Sequence, residues 1–333
     1  MVEFSKQELM ALKRIHPCPP LTGHLVHTRK TFAEAPLRVL DVGARDGHES
    51  FWQVYGDQLN LTGIEPDTEE CVRLNREGGQ NIQYVPVVFD QERHQRTFYQ
   101  AAWAGASGFY PGNQTFLQRF PQEYGEAMNV IEAWPVQTIP LDEWRASQDI
   151  ASFDFIKLDT EGSELDILRG AKQTLASTLG LSLEVLFHRC IRHQPSFSEI
   201  DHFLTEQGFR LFDLALYRHA RRALPLPPLE EGNTLLGQVL WAQALYLRDG
   251  VEEMETQGSL LNRLDLLKLA SLMEVFCLPD CACELLSAGI ERGILKQSER
   301  HLLDWIHSDP WIKQLNSSTS SNPQGFARID GWN

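Results

Sequence analysis

The chain has 333 residues, 42% of them hydrophobic, and a formal net charge of −15 at pH 7. That length suits two domains, or one large domain with appendages. The charge argues against a nucleic-acid backbone or an anionic membrane surface as main partner. No apolar run is long enough to cross a bilayer, and no basic stretch followed by an apolar segment marks an export signal. A cytoplasmic location with reduced thiols is therefore expected for the six cysteines, which show no disulfide framework.

Ser5-Lys6-Gln7-Glu8 reads as a capping box before a short helix with Leu9, Leu12 and Ile15 on one face. Pro17 ends it, and residues 1–35 are expected as an N-terminal helical or extended segment. Strand and helix patterns then alternate. Leu37–Val42 precedes a helix near 48–57, and Leu59–Ile64 precedes one near 68–77. A third apolar run, Ile82–Phe89, closes at Asp90. Phe153–Asp159 is a fourth strand, followed by a helix carrying Leu165, Leu168, Ala171 and Leu175. Leu181–Phe187 is a fifth, and Gly208 stops the helix over Ser198–Gln207. This alternation predicts an α/β fold with a mostly parallel, doubly wound sheet. Arg210–Arg218 and Gln238–Arg248, joined through a Pro-rich loop at 225–228, are expected as an antiparallel hairpin at the sheet edge.

Residues 104–132 interrupt the rhythm with a glycine-rich stretch followed by Phe116, Phe120 and Tyr124. They fit either a lid over a binding site or an extra hairpin packing its aromatics as core. Residues 255–310 are patterned as an α-helical subdomain with a break at Pro279, and 316–333 as a tail without fixed structure. Cys277, Cys281 and Cys283 cluster there, but no matching ligand pair accompanies them, so no metal is expected.

The most informative stretch is Asp41-Val42-Gly43-Ala44-Arg45-Asp46-Gly47. It is an acid at a strand tip followed by a bend whose glycines let backbone approach a ligand, at the edge where open α/β sheets bind nucleotides. Glu65-Pro66-Asp67 ends the second strand with an acid suited to ribose hydroxyls. The middle glycine of a dinucleotide fingerprint is absent. Two acids suit a cationic nucleoside better than a diphosphate, which favours S-adenosyl-methionine over NAD and leaves a nicotinamide-dependent oxidoreductase as the weaker reading.

Phe153 to Ala171 contains Lys157, Asp159, Glu161, Gly162, Glu164, Leu168, Gly170 and Ala171. This stretch resembles the signature of the FkbM-type methyltransferases, and the resemblance spans about residues 37–250. It implies a class I methyltransferase (Rossmann-like) domain over 36–250, with S-adenosyl-methionine as cofactor and methyl transfer to a hydroxyl of a sugar, glycan or natural product. Arg45-Asp46 is less typical of the family's turn. Cofactor contacts are expected from Asp41, Gly43, Ala44, Arg45, Asp46, Gly47, Glu65, Pro66, Asp90 and Asp159. Asp159, Glu161 and His188 are the candidate catalytic residues, because an attacking alcohol must lose a proton to a nearby base. Glu184 stands close to the same cleft in sequence order, and Lys157, on a buried strand, is expected to pair with a carboxylate. A scaffold that kept the fold without catalysis is the alternative, and the C-terminal helices are a candidate surface for a homo-oligomer.

Overall fold

The computed structural model describes residues 14–227, 233–234, 236–256 and 261–319. The chain divides into two units, one of Thr31–Glu252 and one made of the stretches up to Lys30 and from Glu253 onward. The expected capping box at Ser5–Glu8 lies outside the described residues.

Seven strands build the sheet of the first unit. They are β1 (Leu37–Val42), β2 (Leu59–Ile64), β3 (Ile82–Val85), β6 (Phe155–Leu158), β7 (Gly180–Leu186), β8 (Phe209–His219) and β9 (Gln238–Arg248). Their spatial order is β3-β2-β1-β6-β7-β9-β8. Every pairing is parallel except those of β9, which is antiparallel to both β7 and β8. The β8–β9 hairpin thus forms the expected end of the sheet, with the antiparallel strand inserted one place in from the edge. This is the class I, Rossmann-like arrangement. Strand order reverses between β1 and β6, so the crevice for a ligand lies at the carboxyl ends of that pair.

The central strands are apolar on both faces, as a covered parallel sheet requires. Leu40, Val42, Ile64, Ile156, Leu158 and Leu183 share one core with Trp144, Phe209 and Tyr246. The helix Thr68–Glu77 starts on an Asp67 cap that accepts from the amides of Glu69 and Glu70. Behind β6 the expected single helix is two short ones, Glu164–Arg169 and Lys172–Leu175. The break falls at Gly170, where an added Cβ would lie 2.4 Å from the Asp90 carbonyl oxygen.

The irregular segment after β3 is framed by a separate antiparallel pair, β4 (Gln95–Ala101) with β5 (Val130–Gln137). The sequence pattern did not show β4, because it is mostly polar, with Phe98 and Tyr99 adjacent and not alternating, on a half-exposed ribbon. Between these strands Leu117 and Phe120 are buried and pack with Leu186, Cys190, Ile191 and Leu240, while Tyr124 is partly buried on the same cluster.

In the helical unit, Arg263–Val275 is buried on all sides from Leu266 to Val275. It packs against Pro279–Glu291, and Gly289 permits the approach, since a Cβ there would meet Leu266 at 2.5 Å. The break before Pro279 is made by Cys277, which takes a left-handed φ of 58°. The chain up to Lys30, expected as a segment of its own, belongs to this unit. The reason is polar: the buried Glu274 carboxylate accepts from the amides of Leu21 and Thr22 and from the Thr22 hydroxyl, at 2.9, 2.7 and 2.7 Å. The helix Pro310–Thr319 runs into the stretch expected to lack structure, and residues 320–333 lie outside the described ones. Among the described residues no helix is long and apolar enough to cross a membrane.

Glu274→Ala strands the buried amides of Leu21 and Thr22, while the Thr22 hydroxyl keeps Ser271 at 3.0 Å, and each unsatisfied group costs about 1–3 kcal/mol. The expected outcome is a lowered thermal midpoint with early loss of protection in residues 14–30, read by hydrogen exchange.

Candidate functional site

Parallel register sets Lys157 on β6 directly beside Asp41 on β1. The Lys157 ammonium donates to Asp41 Oδ1 at 3.0 Å and lies 3.5 Å from Asp159 Oδ2. The expected carboxylate partner of Lys157 is therefore two carboxylates at the switch point. Burial raises the Asp41 carboxyl against the opposing pull of Lys157. Burial also works against the lysine's charge, but Asp41 and Asp159 outweigh it and hold the ammonium above its ordinary range. Asp41 Oδ2 is buried with no hydrogen-bond partner among the described residues. Such an orphaned acceptor points to a missing donor.

The bend after β1 is packed against the bend after β6. Gly43 has φ +86°, and a Cβ there would lie 1.9 Å from the Asp159 carbonyl oxygen. Both constraints demand glycine. The amides of Gly43 and Ala44 donate to the Ile64 carbonyl at 3.0 Å each, which fastens the bend to the end of β2. Gly47, at φ +91°, closes it with a bond to the Ala44 carbonyl. Tyr84 supports the bend from below: its hydroxyl lies 2.9 Å from His48 Nδ1 and accepts from the His48 amide at 3.1 Å. Gly63 makes room for that ring, since a Cβ would lie 2.3 Å from it.

Glu65 is buried at the tip of β2, and burial raises its carboxyl. Its Oε1 accepts from the Asp67 amide at 2.9 Å. Arg45 leans over it, 3.8 Å from both Glu65 and Asp67. Pro66 and Asp46 are exposed beside it. Asp90, expected among the cofactor contacts, is committed elsewhere. Its Oδ1 accepts from the Gln91 amide at 2.6 Å, and its Oδ2 from Arg96 at 2.8 Å. Arg96 also reaches Asp166, which accepts from the Tyr110 hydroxyl at 2.6 Å. Asp90 therefore anchors the inserted segment, because a fully buried carboxylate needs a cation and β4 supplies one.

The turn after β6 explains the spacing of its acids. Glu164 reaches back to accept from the Thr160 amide and hydroxyl at 2.8 and 2.9 Å, and from Gly162 at 3.4 Å. It is a structural brace, and burial pushes its carboxyl up to about 7. The brace holds Glu161 at a left-handed φ of 54°, a strained position for a side-chain-bearing residue. Burial, then the charges of Asp159 and Glu164, raise Glu161 well above the usual carboxylate range. Glu184 on β7 is raised in the same way by burial and by Glu161, Asp159 and Glu164. Asp159 itself remains 36% exposed at the mouth. Among the described residues no cluster of His, Cys, Asp and Glu is arranged to hold a metal ion.

The inserted segment covers this turn, as one of the two expectations for residues 104–132 required, while its aromatics also form core. Gly108 pairs with Tyr99 of β4, and a Cβ on it would lie 3.2 Å from the Thr160 carbonyl oxygen. His188 is held by this segment, its ring stacked on Phe116 at 5.7 Å and its Nε2 in contact with Gln238. Two residues of this region escaped the sequence reading as site candidates. Tyr124 feels the charges of Glu184 and Glu161 and is raised mainly by burial. His219 lies 4.7 Å from it ring to ring, accepts from Trp241 at 3.2 Å, and is pushed down to about 4 by burial. No motif marks either one.

The fold and the crevice define a class I methyltransferase-like domain. A family model described as the methyltransferase FkbM domain matches residues 41–211, just over half of the chain. The chain belongs to that family. No curated protein sequence matches it. Solved structures similar to it include a magnesium protoporphyrin IX methyltransferase from Synechocystis PCC 6803 with bound SAM, at 10% identity and a TM-score of 0.33, covering 68% of this chain and 80% of that one. A precorrin-6y C5,15-methyltransferase from Geobacter metallireducens GS-15 aligns at 11% identity and a TM-score of 0.34, covering 74% and 90%.

Gly43→Ala forces the two bends apart, and about 2 kcal/mol or more of destabilisation is expected from strain of this kind, measured by urea unfolding. The raised acids set a pH dependence. Unfolded glutamates ionise near 4.5, whereas Glu164 holds its proton to about 7. The stability they contribute is complete below the unfolded value and is lost as pH rises through the folded ones. His219 acts oppositely: its contribution is present above 6.5 and is lost as pH falls toward about 4. Comparison with Glu184→Gln cancels the histidine. The wild-type thermal midpoint is expected to drop more between about pH 5 and about pH 8 than that of the variant.

Proposed function

We propose that this protein is an S-adenosyl-methionine-dependent methyltransferase acting on a hydroxyl oxygen of a sugar, glycan or natural-product acceptor. The observation that carries the reading is the junction of β1 and β6, where Gly43 abuts Asp159 and the buried Asp41 keeps one oxygen without a donor among the described residues. Membership of the methyltransferase family supports it.

The residues present fit the cofactor. Glu65 would take ribose hydroxyls, the bend from Gly43 to Gly47 would face the nucleoside side, and Asp159 would face the cationic part. When bound, S-adenosyl-methionine supplies an electrophilic methyl group on a sulfonium. Arg45 stands in the way only weakly. A partly exposed pair at 3.8 Å contributes at most about 1 kcal/mol, so its side chain yields to a ribose.

The chain's own residues then position the acceptor and move its proton. Holding an oxygen near the reacting carbon lowers the barrier by removing rotational and translational freedom. Glu161, turned inward by its left-handed backbone, receives the hydroxyl proton as the new oxygen–carbon bond forms. The positive charge of the bound donor would favour the ionised form of Glu161, and a carboxylate whose affinity for protons is raised by burial is then a stronger base than an ordinary one. Asp41 and Asp159 both contact Lys157, and Asp159, 36% exposed at the mouth, would face the cationic methyl donor.

Calorimetric titration with S-adenosyl-homocysteine is expected to show one site per chain. Glu65→Gln is expected to weaken it about 10- to 100-fold, the worth of one or two charge-assisted hydrogen bonds. Glu161→Gln is expected to keep that binding and lose methyl transfer in a screen of hydroxyl acceptors. Absence of binding at millimolar ligand overturns the reading. Binding without transfer to any acceptor by the wild type favours a cofactor-binding protein that has lost catalysis.

A further inference from the structure

The carboxyl edge of the sheet is divided by charge. Asp41, Glu65, Asp159 and Glu161 follow β1, β2 and β6. Beyond β7 come Arg189 and Arg192, and at the end of β8 come Arg218, Arg221 and Arg222. Both groups share one edge, because β8 runs parallel to β7 through their common antiparallel neighbour β9. The inserted segment adds Arg119 and is fastened to both. The Arg192 amide donates to the Pro111 carbonyl at 3.0 Å, and the Arg222 amide to the Arg119 carbonyl at 3.0 Å. Asn113 Nδ2 donates to the Arg189 carbonyl at 2.9 Å.

This basic rim belongs to a chain of net charge −15. Elsewhere in the same unit arginines meet acids: Arg73 with Glu70, Arg93 with Glu143, Arg96 with Asp90. Among the described residues, none of the six rim arginines has a carboxylate within 4.0 Å. Arg221 is partly buried. Its guanidinium sits over Phe120 at 4.1 Å and Phe116 at 5.3 Å, and its Nη2 contacts Gln238. Its Nη1 is buried with no hydrogen-bond partner among the described residues. Phe116 and Phe120, which carry Arg221, pack in one cluster with Tyr110, Cys190 and Ile191. A Cβ on Gly162 would lie 3.5 Å from the Tyr110 ring and 3.7 Å from Ile191, so that cluster reaches the turn that bears Glu161.

A guanidinium withdrawn from water without an anion is costly. Phe116 and Phe120 repay part of that cost through cation–π contact. An anion brought by a ligand would repay the rest, and guanidinium pairs best with planar or tetrahedral oxyanions. We propose that the arginine end of this edge is an acceptor subsite for an anionic group, so that the molecule methylated carries a phosphate or carboxylate beside its reactive hydroxyl. Arg221 contacts the anion, and the exposed Arg119, Arg189, Arg192 and Arg222 guide it in. The inference rests on the methyl-transfer reading of the same edge. It also assigns opposite charges to the two ligands, a cationic donor at the acids and an anionic acceptor at the arginines.

The test titrates the full chain with inorganic phosphate, with benzoate, and with neutral benzyl alcohol at constant ionic strength, following tryptophan fluorescence and calorimetric heat. Saturable binding of at least one anion is expected, with none for the alcohol, and the better-bound anion identifies the group. Arg221→Gln is expected to weaken that binding about 10-fold or more, and Arg221→Lys to restore part of it. Because Arg221 packs on two rings, the exposed pair Arg189→Gln with Arg192→Gln provides a second variant, expected to lower affinity and flatten its salt dependence without altering the thermal midpoint. S-adenosyl-homocysteine binding is the internal control and is expected to be unchanged in all of them. No saturable anion binding by the wild type, or anion affinity that neither variant alters, overturns the proposal. Failure of the wild type to bind S-adenosyl-homocysteine alongside normal anion binding overturns the methyl-transfer reading instead.

Discussion

The ion pair of Lys157 with Asp41, shared with Asp159, is the constraint on which the site depends. It lies at the point where strand order reverses, so it joins the two halves of the sheet at the one place where the crevice opens. A buried pair of this kind contributes little net stability, because desolvation offsets attraction, but breaking it strands a charge. Its value is positional. It fixes the β1 and β6 tips in one register, and that register lets Gly43 settle against the Asp159 carbonyl.

The chemistry follows from how unequally the acids are treated. Glu164 spends its carboxylate on backbone amides and shapes the turn. Asp90 is neutralised by Arg96 and anchors the insertion. Glu161 and Glu184 have neither arrangement, so burial and mutual repulsion raise them, as expected for groups that exchange protons near neutral pH. Asp41 and Asp159 on one lysine, with the raised Glu161 and Glu184 sensing Asp159, would be a liability in a purely structural site. Beside a cationic ligand they become an attractive field, and the arginines beyond β7 and β8 give the same edge its opposite pole.

The insertion between β4 and β5 connects these two regions. Its Gly108 lies over the Thr160–Glu161 turn, its Tyr110 is tied to Asp166, and its Phe116 and Phe120 carry Arg221. One segment thus touches the turn of the acid cluster and the partly buried Arg221 of the basic rim.

The sequence by itself determined the elements that carry strong local signals. The period-2 and period-3.6 patterns marked the central strands and the helix at 68–77, the glycine bend with its strand-tip acids marked the crevice, and the Lys157–Ala171 signature pointed to the family. These were legible because each is set by neighbours in the chain or by a long fixed spacing. Only the tertiary structure decided that Asp90 serves Arg96, that Glu164 braces the turn that aims Glu161, and that the stretch up to Lys30 is held by Glu274. It alone brought Tyr124, His219 and the arginines after β7 and β8 to one edge. Those roles depend on which distant group satisfies a buried charge or amide, and that choice is made by packing and strand order, not by any spacing along the chain.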